Sequence, residues 1–95
     1  MMNGMTRLFS QWPAAIPREG AVVTGLGENI PFNDFLLSDE LILLLRPQPD
    51  GMGTRRVIMK IADVAGIRIA NSIDPERFMA MGFQRHAAPM ARRPV

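Results

Sequence analysis

The stretch that decides the fold runs from Asn29 to Leu45 and reads NIPFNDFLLSDELILLL. Ile30 and Phe32 alternate on one parity and Phe35 and Leu37 on the other, as in extended chain, where side chains two apart share a face. The parity switches at Asn33 and Asp34. One extra residue in a strand produces that switch, so a bulge or sharp bend is expected there. Ser38, Asp39 and Glu40 supply turn chemistry. The run Leu41-Ile42-Leu43-Leu44-Leu45 that follows is apolar on both parities, and a strand of that kind is expected to be covered on both faces.

Working outward, Ala21, Val22, Val23 and Thr24 are β-formers, and Gly25, Leu26, Gly27, Glu28 and Asn29 suit a tight reversal, which together predict a hairpin. Downstream, Pro47 to Thr54 is a loop by composition. Val57, Met59 and Ile61 then alternate with Lys60 and Ala62, a fourth strand. After Asp63 the parity shifts again, and Val64, Ile67 and Ile69 form a short fifth strand near Gly66. At the N-terminal end Met5, Leu8, Phe9 and Trp12 fall at i, i+3, i+4 and i+7, the stripe of a short docking helix over 4–12 that Pro13 ends. At the other end Asp74 caps, Pro75 suits the first helical position, Glu76 favours the N-terminal dipole and Gly82 suits the C-terminal cap. These predict a short helix over 75–81, with Phe78 and Met81 turned toward the strands.

The chain has 95 residues, 47% of them hydrophobic and 21% charged, enough for one domain with a small core and too few for two. That domain is expected to span 1–83, with residues 84–95 a basic flexible tail of Arg, Ala, Pro and Met without a period. No cysteine is present, which excludes disulfides, thiolate nucleophiles and Cys-based zinc sites, and the cytoplasm is the expected compartment. No apolar stretch of signal-peptide length precedes Pro13, and the five-residue run Leu41 to Leu45 is too short to span a bilayer, so no membrane partner is expected.

The isoelectric point of about 10.4 suggests nucleic acid, yet the formal net charge is only +2. With one His, one Lys and no Tyr or Cys, little titrates between neutrality and the arginines, so a small excess of base carries the isoelectric point far upward. Charge placement is more informative. Between 18 and 50, Arg18 and Arg46 face Glu19, Glu28, Asp34, Asp39, Glu40 and Asp50, a half that repels phosphate. Between 51 and 70, Arg55, Arg56, Lys60 and Arg68 face Asp63 alone, and Arg85, Arg92 and Arg93 follow with no acid. An anion would be met there.

Five short strands, two bends and an apolar third strand describe a mainly β fold, a strongly bent five-stranded SH3-like small barrel over 18–70 between two short helices. From Gly20 to Ile69 the chain resembles the Sm-like (LSm/Hfq-type) family: a short N-terminal helix, a first strand ending in Gly-Glu-Asn, a bent second strand, an Asp-containing turn at Asp39, a variable loop, and the strand Ile58-Met59-Lys60-Ile61-Ala62-Asp63-Val64. Asp39 stands where that family carries the Asp of its base-holding turn, and Lys60 where it carries a basic residue. No Asn follows Asp39, and Ile61 stands in place of Gly or His. The resemblance implies a homo-oligomer, in which the fourth strand pairs with the fifth of a neighbour and closes a ring. Val57, Ile58, Met59, Ile61 and Ile67 are then the oligomer edge.

Other chemistry is weaker. Gly25, Gly27 and Asn29 resemble the start of a dinucleotide loop, but Ile30 holds the third glycine position and no long helix follows. His86 is the only histidine, so neither a triad nor a His-based metal site can be assembled. Asp34, Asp39 and Glu40 read as a wet turn rather than an ion site. Neither enzyme activity nor a cofactor nor a metal is expected. Two functions stay open: a non-enzymatic interaction and assembly module that docks a protein partner, and an Sm-like binder of single-stranded RNA. The second would use Arg55, Arg56, Lys60, Arg68 and Asp39, since Arg56, Ile58 and Lys60 share one face of a strand.

Overall fold

The computed structural model describes residues 4–85. Helix α1 (Gly4–Ser10) precedes six strands, and two 3-10 segments occupy Ile61–Asp63 and Pro75–Met81. Strands β1 (Gly20–Thr24), β2 (Asn29–Phe32) and β6 (Val64–Arg68) make one antiparallel sheet in the order β2-β1-β6. Strands β3 (Asp34–Leu37), β4 (Leu41–Leu45) and β5 (Arg56–Lys60) make a second in the order β3-β4-β5. Among the described residues no helix is long and apolar enough to cross a membrane.

Six strands replace the expected five because the second breaks in two at Asn33. Phe32 and Phe35 are both buried, at 2% and 1% exposure, with their rings 5.9 Å apart edge to face. Residues three apart in a continuous strand point to opposite faces, so only a break lets both rings enter one core. Asn33 is exposed, and its N–H donates to the Leu45 carbonyl at 2.9 Å, which moves the chain from the partner strand β1 to the partner strand β4. Among the described residues no ladder closes the two sheets into a barrel. The 3-10 turn Ile61–Asp63 makes the return crossing from β5 to β6.

The core fills the space between the sheets with Val22, Phe32, Phe35, Ile42, Leu44 and Val64, and α1 closes one end of it with Phe9. The helical stripe read from the sequence is the packed one: Phe9 lies 4.9 Å from Phe35 and Trp12 5.3 Å from it, both edge to face. The Trp12 indole N–H donates to the Ile16 carbonyl at 2.9 Å, tying down the chain after the helix. The helix ends at Ser10 rather than at position 12, although the Gln11 N–H still donates to the Arg7 carbonyl at 3.0 Å.

The turns use the residues expected of them. Thr24 Oγ1 accepts the N–H groups of Leu26 and Glu28 at 3.3 and 3.1 Å, organising the β1–β2 reversal. In the β4–β5 loop the Asp50 carboxylate accepts the N–H groups of Met52 and Thr54 at 2.8 and 2.9 Å, and Gly53 takes the left-handed conformation at φ 85. The second helix is 3-10 and keeps the predicted ends. Asp74 accepts the Glu76 N–H at 3.0 Å, Pro75 opens it, and Gly82 closes it in the left-handed region with φ 100. Phe78 and Met81 join Met5, Leu8, Trp12 and Ile67 around an apolar cavity of about 200 Å³. Of the tail expected over 84–95, residues 86–95, with His86, Arg92 and Arg93, lie outside the described residues, and Arg85 pairs with Glu76 at 3.2 Å.

Candidate interaction surface

Strand register decides which side chains share the outer face of the β3-β4-β5 sheet. Ile42 and Leu44 point inward and are fully buried, so Leu41, Leu43 and Leu45 point outward. Their partners across the ladders give three rows: Asp34, Leu45 and Arg56; Leu36, Leu43 and Ile58; then Leu41 and Lys60. The middle of this face is apolar and open, with Leu36 at 55%, Ile58 at 66% and Leu41 at 41% exposure. A shallow groove lined by Leu36, Leu37, Leu41, Leu43 and Ile58 runs over it. The expectation that Leu41 to Leu45 is covered on both faces is therefore corrected: one face is core and the other is bare. Alternation of a five-residue strand forces that outcome unless a further layer packs outside it, and none does among the described residues.

Charge borders the bare face on opposite sides. Arg56 and Lys60 lie along β5, together as expected from their parity, with Arg55 exposed immediately before that strand. Asp34 lies along β3, and the turn holding Asp39 and Glu40 joins β3 to β4 beside Lys60. That placement follows from Leu41 pairing with Lys60 and from the Ile61 N–H donating to the Glu40 carbonyl at 2.9 Å. Two ion pairs occur among the described residues, Arg18 with Asp34 and Arg85 with Glu76, so Arg55, Arg56, Lys60 and Asp39 all keep unpaired charges.

Arg68 belongs elsewhere. It pairs with Ala21 in the β2-β1-β6 sheet, because the 3-10 turn after β5 carries the chain to the other layer. The basic candidates thus divide, with Arg55, Arg56 and Lys60 on one sheet and Arg68 on the other.

The edge candidates divide too. Val57, Met59 and Ile67 turn inward and pack against the core, half-buried. Ile61 is 1% exposed inside the 3-10 turn, so it is a core residue and not part of an exposed edge. Ile58 alone of the five is an exposed large apolar side chain. Among the described residues these backbone edges are open: β5 pairs only with β4 and β6 only with β1. An open groove of about 650 Å³ separates β5 from the β1–β2 turn, where Leu26 stands 94% exposed.

Arg18 escaped the sequence reading. It reaches across sixteen positions to hold the bend, its Nε donating to Asp34 Oδ1 at 2.7 Å and its terminal nitrogen to the Phe35 carbonyl, with the guanidinium 3.8 Å above the Phe35 ring. Asp34 also accepts the Phe35 N–H at 2.8 Å. The Arg18 hydrogen bond, and after it the Phe35 N–H, hold the Asp34 carboxyl below the usual carboxylate range. The N–H groups of Thr54 and Met52 do the same for Asp50. No family model, curated protein or solved structure matches the chain.

Proposed function

We propose that the chain is a non-enzymatic interaction and assembly module built on an Sm-like small barrel, in which β2 and β3 act as one strand bent at Asn33. One observation carries this: a folded sheet leaves Leu36, Leu41 and Ile58 open to water in the middle of one face. Contiguous exposed apolar surface with a charged border is the mark of a surface awaiting a partner. The open edge of β5 beside it, and that of β6 on the other sheet, offer unpaired backbone groups, which strand pairing with a further copy would satisfy. Homo-oligomer formation, with a ring as the closed form, follows from a heterologous pairing of those two edges.

A second function, binding of single-stranded RNA, draws support from Arg56 and Lys60 flanking Ile58 on one face with no acid paired to either. The same face lacks an aromatic side chain for a base to stack on, and the turn beside Lys60 carries Asp39 and Glu40. Protein interaction therefore ranks first. Fluorescence anisotropy with oligo-U and oligo-A at two salt concentrations separates the two. The interaction module predicts no binding at micromolar protein, and micromolar binding that weakens steeply with salt would reverse the order.

A further inference from the structure

We infer that the outer face of the β3-β4-β5 sheet packs on the same face of a second copy, about a two-fold axis running along β4, so that β3 of each copy lies over β5 of the other. The pairing rests on the interaction-module proposal and names its partner. The bare face is polarised: its β3 side carries Asp34, the β3–β4 turn at one end carries Asp39 and Glu40, and its β5 side carries Arg56 and Lys60. Two-fold packing of such a face on itself has two simple solutions. An axis across the strands sets β3 over β3 and β5 over β5, acid on acid and base on base, which is costly at an interface. An axis along β4 sets each acidic side over a basic one.

In that second arrangement the middle rows meet with Leu36 over the Ile58 of the other copy and Leu43 near the axis, so the most exposed apolar groups of this face cover one another. Asp34 already holds Arg18, which leaves the Asp39 and Glu40 turn to meet Lys60 of the other copy. Three strands about 4.8 Å apart and five residues long make a patch about 15 Å on a side. That is well below the roughly 800 Å² per partner of a stable specific interface, so the self-association is weak and transient.

Sedimentation velocity of the full chain from low to high micromolar concentration tests the pairing. Ile58→Glu should weaken association about tenfold or more while leaving the melting temperature unchanged at concentrations where the wild type is a single chain, because that side chain is 66% exposed there. Lys60→Glu and Asp39→Lys, each alone, should weaken it as well, since each sets like charges opposite one another in its own dimer. Mixing these two variants in equal amounts should restore association to about the original level, because both contacts across the axis are then between opposite charges. A rescue of that kind cannot arise from a charge contact within one chain. Association unchanged in Ile58→Glu, or a mixture no tighter than its separate components, would overturn the face-to-face pairing and leave assembly through the strand edges standing. A wild-type chain that stays monomeric throughout removes both.

Discussion

Arg18 and Asp34 fix the point at which the chain changes sheets. Their ion pair is half exposed, at 43% and 50%, so its contribution is of the size measured for surface pairs, about 0.2–1 kcal/mol. The folded state holds the Asp34 pKa below its ordinary value, so the stabilisation is complete above the carboxylate range and is lost as pH falls through it. Asp34→Asn should therefore lower the melting temperature by a few degrees at neutral pH, about 4–8 °C per kcal/mol for a domain of this size. The difference from wild type should vanish in acid; thermal melts in a pH series read this directly, and a constant difference would exclude the ion pair as its cause. Gly20 is constrained by contact rather than charge. A Cβ there would collide with the backbone carbonyl oxygen of Arg68, and a backbone atom in a ladder has little room to give. Gly20→Ala should cost about 1–3 kcal/mol in chemical denaturation, the range for forced overpacking.

The elements show which signals were legible in the sequence. The break after Phe32 could be read because two large apolar side chains three apart in extended chain need an extra residue between them, and Asn33 is that residue. The end of the chain could be read because Asp74, Pro75 and Gly82 each act locally, within a turn of one another. Arg18 could not be read, because its contacts with Asp34 and Phe35 exist only once the bend has brought β3 beside it. The Leu41–Leu45 run misled for a different reason: apolar residues on both parities fix what each face is made of, not that a layer of the same chain covers each one. Arg68 was grouped with Lys60 by nearness in sequence, and the 3-10 turn at Ile61–Asp63 separates them. Helix α1 shows the weight of a single docking contact. Phe9 is its only fully buried residue, and Phe9→Ala should cost about 3–5 kcal/mol, the range for a large aromatic core truncation. A loss below about 1 kcal/mol would mean that the helix is an ornament on the sheets.

For the whole molecule, the governing fact is that a chain of this length buries little surface alone and, among the described residues, leaves one sheet face and the outer edges of both sheets, β5 and β6 among them, without a partner. The proposed self-association would cover them and would account for the placement of Leu36, Leu41 and Ile58. The central claim, that this is an assembly module, is tested most directly by multi-angle light scattering of the intact chain at high micromolar concentration. The expected result is a mass of at least two chains that falls toward one on dilution; a single-chain mass held across the whole concentration range would contradict it.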